Sequence, residues 1–122
     1  IFSFPEVGAV GMTEEEAKEK GIGYVVGKSM FGANGKALTI GEGDGIVKIL
    51  AHSETHKILG VHIIGPHASD LIHEGVLAIQ NGLTAENIIE SIHAHPTLSE
   101  AFYEAVCGCQ GRAIHSIPSI KR

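Results

Sequence analysis

The chain has 122 residues, of which 43% are hydrophobic and 19% are charged, a composition typical of one globular domain spanning residues 1–122. Its formal net charge of −5 disfavours a nucleic acid as partner, because backbone phosphates require a basic surface. No run approaches the roughly 18 apolar residues that a membrane-spanning helix needs, so we expect no membrane association. The first residue is Ile1 rather than Met, and we therefore expect the chain to be part of a longer polypeptide.

The N-terminal elements are short. Residues 1–11 alternate weakly between apolar and polar side chains and predict a strand whose pairing Pro5 limits. Thr13 and Glu16 have the spacing of a capping box, and Gly21 is a natural C-terminal stop. The residues between them therefore predict a short helix on the surface.

The middle of the chain predicts a β-hairpin. Residues 23–29 are a strand candidate, and the glycine-rich stretch after them predicts a loop with one helical turn near residues 33–38. Residues 46–52 and 58–65 alternate with period two and are joined by a five-residue loop, which is typical of an antiparallel hairpin. The alternation places six side chains on one apolar face: Val47, Ile49, Ala51, Leu59, Val61 and Ile63.

The second half of the chain predicts helices. Ser69 is a candidate N-cap and Gly82 a stop for a helix with an apolar stripe, and Thr84 is a candidate cap for a shorter helix over residues 85–91. A last helix is predicted from Leu98 to Cys107. The stripe consists of Leu71, Ile72, Val76 and Ile79. Strands followed by helices, without regular β–α–β alternation, predict an α+β fold with an antiparallel β-sheet and helices packed on one face.

The two cysteines and eight histidines raise the question of a disulfide or a metal site. Cys107 and Cys109 are too close in sequence for an unstrained disulfide, and they indicate reduced thiols in a cytoplasmic protein. Strong zinc signatures combine C-x2-C with H-x3-H spacing. His52 and His56 have the H-x3-H spacing, but the chain contains no C-x2-C pair, so we expect no metal site. The candidate ligand pairs for the zinc alternative are His52 and His56, His67 and His73, His93 and His95, and the two cysteines.

The segment HAHPTLSEAFYEA, residues 93–105, holds the candidate catalytic pair. His95 precedes Pro96 and is therefore held extended just before a helix, while Glu100 in the first turn can reach back to it. A carboxylate bonded to one imidazole nitrogen fixes the tautomer and favours the protonated ring. The pattern predicts a general base suited to a thiol proton. The alternative is structural, because Thr97 and Glu100 also have capping-box spacing.

The same segment resembles the C-terminal signature of the pyridine nucleotide-disulphide oxidoreductases, and the residues around its H-P-T-x-x-E element favour the dihydrolipoamide dehydrogenase branch. FPEVGAVGMTEEEAKEKG resembles the opening of the interface (dimerisation) domain in that family. GIVKILAHSETHKILGVHIIGPHASDLIHEGVLAI resembles its central hairpin and helix. The resemblance covers nearly the whole chain.

The resemblance implies roles for three residues. His95 would be the acid–base catalyst for the thiols of dihydrolipoamide, and Glu100 would orient and polarise it. The pair would act on the disulfide and FAD of the partner subunit, across a dimer interface. The backbone of His95 and Pro96 would lie against the partner's isoalloxazine ring, with a cis bond between them.

The resemblance also implies what the chain lacks and what it associates with. The family's FAD fingerprint, NAD-binding domain and redox-active cysteine pair are missing from these 122 residues. FAD and NAD would therefore belong to the full-length enzyme, and this chain alone would bind neither and be inactive. The implied partners are a second copy, the FAD- and NAD-binding domains of the parent chain, and lipoyl domains of 2-oxo acid dehydrogenase or glycine cleavage complexes. The alternatives are a purely structural dimerisation module, or the same domain of a glutathione reductase-like enzyme.

Overall fold

The computed structural model describes residues 3–115, which form a four-stranded antiparallel sheet and five α-helices. The α+β class is confirmed. In chain order the elements are β1 (Val7–Gly11), α1 (Glu14–Glu19), β2 (Tyr24–Met30), a 3₁₀ turn (Phe31–Ala33), α2 (Gly35–Thr39), β3 (Ile46–His52), β4 (Ile58–Ile64), α3 (Ala68–Gln80), α4 (Ala85–Glu90) and α5 (Ser99–Cys109). Over the described residues, no helix is both long enough and apolar enough to cross a membrane.

The sheet has the strand order β1-β4-β3-β2, with the predicted β3–β4 hairpin at its centre. A register shift between Leu50 and Ala51 changes one detail of that hairpin, because Ala51 pairs with Ile58 and leaves Leu59 as an extra residue. Ile58 is buried in the core, while Leu59 is only half-buried. The prediction that Leu59 shares the face of Val61 is therefore wrong, since a bulge shifts the alternation by one residue.

The two longest helices, α3 and α5, pack on the same face of the sheet, as expected. Gly75 of α3 lies against Val61, and Gly27 of β2 lies against the backbone of α5 at Ala105. Val61 and Gly27 are on one face because both align with Ile49 of β3. Small residues at these contacts bring the helices close to the strands and anchor α5 firmly to the sheet.

The short helix α1 lies on the opposite face. Its capping box is confirmed, with the Thr13 hydroxyl accepting from the Glu16 N–H and the Glu16 carboxylate accepting from the Thr13 N–H. Glu14 accepts a hydrogen bond from Lys48 at 3.1 Å, and Lys48 points away from the core face of β3. This helix therefore covers part of the sheet that α3 and α5 leave exposed.

Helix α3 does not begin as predicted. Its N-cap is His67, which has left-handed backbone geometry and no capping side-chain bond, rather than Ser69. The Glu6 carboxylate instead accepts from the Ser69 backbone N–H at 2.9 Å and from the Ser69 hydroxyl at 2.7 Å. An acid from the segment before β1 thus satisfies the helix N-terminus in place of a local cap.

We expect the Glu6 contact to make stability depend on pH. Hydrogen bonds from the Ser69 hydroxyl and backbone lower the pKa of Glu6 below its ordinary value of 4.5. A carboxyl group whose pKa is lowered in the folded state stabilises the fold at pH values above its unfolded-state pKa. This stabilisation is lost as the pH falls through the folded-state pKa. Urea unfolding should therefore show Glu6→Gln to be less stable than wild type at neutral pH, with the difference shrinking below about pH 4.5.

The matched control for that variant is Glu54→Gln in the exposed hairpin loop, which should leave the unfolding midpoint unchanged at both pH values. If Glu6→Gln and wild type differed equally at neutral and acidic pH, the contact would not depend on the carboxylate charge.

The apolar stripe of α3 also differs from the prediction at one position. Val76 is exposed, and the small residues Gly75 and Ala78 face the core beside Ile72. Close packing on the sheet favours small residues here, and a pattern that counts only large apolar side chains misses them. The helical turn predicted near residues 33–38 is confirmed, and the structure extends it into a 3₁₀ turn followed by α2.

The last two helices begin close to where they were predicted. The Thr84 cap of α4 is confirmed, because its hydroxyl accepts from the Asn87 N–H. Helix α5 begins at Ser99, one residue later than predicted, and ends at Cys109, two residues later than predicted. These two helices are joined by residues 91–98, which contain the candidate site.

A candidate acid–base site before the last helix

Residues 91–98 form a loop that projects the His95 side chain into solvent. The His95 side chain is 80% exposed, and Ala94 and Pro96 on either side are also exposed. The His95–Pro96 peptide bond is cis, which confirms the expectation from the family resemblance. The ring is therefore available to a group from another subunit or to a substrate.

Glu100 in the first turn of α5 contacts the ring directly. Its two carboxylate oxygens lie 2.9 and 3.1 Å from His95 Nδ1. The Thr97 backbone N–H donates to one of the same oxygens at 2.9 Å. The Thr97 N–H thus holds the Glu100 carboxylate in contact with the imidazole, as the five-residue spacing predicted.

The protonation of Glu100 follows from these contacts. Partial burial raises its pKa, but the Thr97 N–H, the His95 hydrogen bond and the charge of a protonated His95 ring together outweigh burial. The net effect lowers the pKa of Glu100 below its ordinary value of 4.5. The side chain is therefore a carboxylate at neutral pH and accepts the N–H on Nδ1.

The capping alternative is half realised. Glu100 accepts from the Thr97 N–H, which is one half of a capping box. The other half is absent, because the Thr97 hydroxyl donates to the Ala94 carbonyl at 2.7 Å and the helix N-cap is Leu98. The Glu100 carboxylate therefore both accepts a backbone N–H at the start of α5 and orients His95. The capping interpretation and the acid–base interpretation are thus compatible.

The arrangement leaves one ring nitrogen for chemistry. Among the described residues, both hydrogen bonds of the His95 ring involve Nδ1 and none involves Nε2, while the side chain as a whole is 80% exposed. A neutral ring with N–H on Nδ1 carries its lone pair on Nε2. Such a ring can accept a proton at Nε2, and the adjacent carboxylate then stabilises the resulting imidazolium.

A second histidine, His93, belongs to the same loop; the sequence indicated it as a candidate zinc ligand and as part of the family signature. Its Nε2 lies 2.6 Å from a Glu74 carboxylate oxygen, and its Nδ1 lies 3.0 Å from the Ser91 carbonyl oxygen. The ring also packs against Tyr103 of α5, with centroids 5.0 Å apart. The sequence signal for His93 was its position two residues before His95. The contact with Glu74 was not predicted, because Glu74 lies on α3, nineteen residues away in sequence.

The structure does not bring the candidate metal ligands together. Within residues 3–115, no group of three or more His, Cys, Asp or Glu side chains is arranged to hold a metal ion. His56 pairs instead with Glu86 at the start of α4, at 2.5 Å. His52 accepts from two backbone N–H groups of its own hairpin loop. These histidines therefore have structural contacts of their own.

Both cysteines are free thiols on α5, as predicted. Burial raises the pKa of Cys109 to about 12 and also raises the pKa of Cys107. The Cys109 Sγ contacts the Ile49 carbonyl oxygen at 3.7 Å. Thiols with raised pKa hold little thiolate near neutral pH and are weak nucleophiles.

We therefore expect both thiols to resist alkylation in the folded chain. Iodoacetamide at about pH 8 should leave Cys107 and Cys109 unmodified by mass spectrometry, while the urea-unfolded chain is modified at both. Rapid modification of Cys109 in the folded state would contradict the raised pKa of its thiol.

Comparison with known proteins supports the resemblance. The family model described as "Pyridine nucleotide-disulphide oxidoreductase, dimerisation domain" matches residues 1–106. Dihydrolipoyl dehydrogenase 2, mitochondrial, from Arabidopsis thaliana is 50% identical over 115 residues, covering 94% of this chain and 23% of that protein. Dihydrolipoyl dehydrogenase from Bacillus subtilis is 51% identical over 115 residues, covering 94% and 24%.

Solved structures show the same fold. LpdA from Mycobacterium tuberculosis aligns with a TM-score of 0.81 at 27% identity, covering 86% of this chain and 23% of that one. The HOCl-induced flavoprotein disulfide reductase RclA from Escherichia coli aligns with a TM-score of 0.81 at 26% identity, covering 86% and 24%. The chain thus spans about a quarter of the length of the curated relatives it matches.

Proposed function

The chain belongs to the dimerisation-domain family of the pyridine nucleotide-disulphide oxidoreductases, and we propose that it acts as the dimerisation domain of a dihydrolipoyl dehydrogenase. In this proposal it provides His95 and Glu100 to a redox site completed by a partner subunit. The 2.9 Å contact between the Glu100 carboxylate and Nδ1 of an exposed His95 carries the proposal. The choice of substrate rests on relatives of about 50% identity that are named dihydrolipoyl dehydrogenases.

In the proposed mechanism, one proton moves between the substrate thiol and one atom of the His95 ring, Nε2. His95 Nε2 takes the proton of a dihydrolipoamide thiol, and the thiolate so formed attacks the disulfide of the partner subunit. The ring then carries two N–H groups, and the Glu100 carboxylate opposite Nδ1 stabilises its positive charge. The protonated ring later returns the proton to a departing sulfur, acting as general acid.

Glu100 is suited to the role of a fixed counter-charge. Its lowered pKa keeps it ionised when His95 gains a proton, so the proton stays on the ring instead of passing to the carboxylate. The Thr97 N–H fixes the carboxylate before the substrate arrives, which reduces the reorganisation needed during proton transfer.

The loop fits a contact with a flat ring held by another subunit. Ala94, His95 and Pro96 are all exposed, so this segment is accessible to such a ring. Ile92 beside it is 99% exposed, and with the exposed Ala94 and Pro96 it adds to the apolar surface of this loop. FAD, when bound by the parent chain, would accept the electrons from the thiol–disulfide exchange and pass them to NAD. The full-length protein would then work as a homodimer and accept lipoyl groups.

A hybrid-dimer experiment tests whether the site is shared between subunits. One full-length subunit carries His95→Gln and the other carries replacements of the redox-active cysteines. Neither homodimer should turn over dihydrolipoamide, whereas a hybrid contains one intact site. Random reassociation of equal amounts should restore about one quarter of wild-type activity, since half the dimers are hybrids and each has one of two sites.

The control mixes wild-type protein with the cysteine-replaced subunit, which should retain about half of the wild-type activity after the same reassociation. If the mixture of the two inactive subunits stayed inactive while this control recovered, His95 would not act across the interface.

A further inference from the structure

The two histidines of the H-x-H segment have opposite environments. The His93 side chain is only 10% exposed, whereas that of His95 is 80% exposed. Both ring nitrogens of His93 face oxygen acceptors, Glu74 Oε1 at 2.6 Å and the Ser91 carbonyl at 3.0 Å. No ring nitrogen of His93 is left to bind a substrate proton, so the two residues cannot share one role.

The loop depends on side chains for its position. Among the described residues, the backbone of residues 92–97 makes no hydrogen bond to another backbone group. The side-chain contacts that hold it to other elements come from Asn34, which donates to the Thr97 carbonyl at 3.0 Å, and from His93, which reaches Glu74 on α3. The Glu100 contact adds a tether to α5.

His93 lies where it can set the position of both partners in the acid–base pair. Its imidazole connects the loop to α3 through Glu74 and packs against Tyr103, which is one turn beyond Glu100 on α5. A ring fixed two residues before His95 limits the movement of the loop relative to the helix that carries the carboxylate. The Glu74 carboxylate is only about a third exposed, which strengthens its contact with the imidazole compared with a pair in open water.

We infer that His93, held by Glu74, is a positioning residue for His95. The inference rests on the proposed function, since it concerns the delivery of the His95 ring to a dithiol substrate. Loss of this positioning should slow the reaction, because a small displacement of a catalytic group lowers the rate by a large factor. His93 itself touches neither the substrate nor the proton that is transferred.

Two flavin half-reactions of the full-length enzyme separate positioning from general stability. Reduction of the flavin by dihydrolipoamide requires the thiol proton to be taken up, whereas reduction by NADH does not. His93→Gln and Glu74→Ala should each slow the dithiol reaction about 10- to 100-fold and leave the NADH reaction within about 2-fold of wild type. Stopped-flow absorbance of the flavin measures both rates.

The background variant His95→Gln makes the test specific. If His93 acts only through His95, then adding His93→Gln to His95→Gln should cause no further slowing of the dithiol reaction. His73→Gln, an exposed histidine on α3 beside Glu74, is the matched control and should behave as wild type in both half-reactions. Flavin content and the unfolding midpoint of each variant show whether it is folded, and Glu74→Ala decides the question if His93→Gln fails to fold.

The outcomes distinguish the inference from the function on which it rests. Wild-type dithiol rates in both folded variants, or equal slowing of both half-reactions, would overturn the positioning role while leaving His95 as the base. Full additional slowing by His93→Gln in the His95→Gln background would also overturn it. If His95→Gln alone reduced the flavin with dihydrolipoamide at the wild-type rate, the proposed function itself would fail.

Discussion

Replacing His95 with glutamine should slow dihydrolipoamide oxidation by the full-length enzyme about 10²- to 10⁴-fold, the range expected for loss of a general base. Glutamine can still donate a hydrogen bond to Glu100, but it has no basic nitrogen to accept the thiol proton. Steady-state turnover with dihydrolipoamide and NAD, at fixed pH and saturating substrate, measures the effect.

The same variant should leave stability almost unchanged. The His95 side chain is 80% exposed, so its replacement should alter the free energy of unfolding by no more than about 0.5 kcal/mol. The structural-module alternative makes the opposite prediction, a loss of about 1 kcal/mol from a weakened cap with unchanged turnover. Unchanged turnover of His95→Gln would therefore favour that alternative over the catalytic assignment.

Glu100→Gln is an informative companion to that variant. It retains an oxygen that can accept from the Thr97 N–H but removes the charge opposite the ring. We expect a loss of turnover smaller than that of His95→Gln, because the base remains and only its counter-charge is gone. A loss larger than that of His95→Gln would indicate that the carboxylate takes the proton itself.

The substitution Gly27→Ala should have the largest effect on stability among the positions that hold the site in place. A methyl group at Gly27 would overlap the Ala105 carbonyl oxygen and approach the Cys109 backbone nitrogen to 2.6 Å. Both obstacles are backbone atoms of α5, so the helix must move away from the sheet. We expect a loss of about 3 kcal/mol or more in the free energy of unfolding, at the upper end for overpacked cores.

Urea unfolding of the 122-residue chain, followed by circular dichroism, measures this loss. Gly35→Ala is the matched control, because a methyl group there meets nothing within 4 Å at the start of α2. It should leave stability unchanged or raise it by up to about 1 kcal/mol. Equal unfolding midpoints for the two variants would show that α5 does not pack on Gly27 as closely as described.

The residues near one another in sequence determined much of the fold and part of the site. The Thr13–Glu16 capping box, the Thr84 cap and the hairpin of residues 46–64 were predicted from neighbouring residues. The His95–Glu100 contact was predicted in the same way, because a spacing of five residues across a helix start brings the two groups together. Each of these contacts closes over a few residues, so backbone geometry alone nearly specifies it.

Contacts between distant residues were decided only by the tertiary structure. Glu6 caps α3 from 63 residues away, so Ser69, the obvious local candidate, became its hydrogen-bond donor instead. The bulge places Ile58 instead of Leu59 on the core face of β4. It depends on how β4 pairs with β3, and no pattern within β4 specifies it. Likewise, Val76 is exposed because Gly75 allows α3 to lie close against the sheet.

For the site itself, the sequence determined the contact between the candidate residues His95 and Glu100, and the tertiary structure determined what surrounds it. Glu100 is within reach of His95 wherever α5 is placed, since both belong to one short segment. The Glu74–His93 contact, by contrast, exists only because α3 and α5 both pack on the same face of the sheet. The physical reason is that long-range contacts require the sheet and both helices to be assembled first, and this arrangement depends on the packing of the whole core.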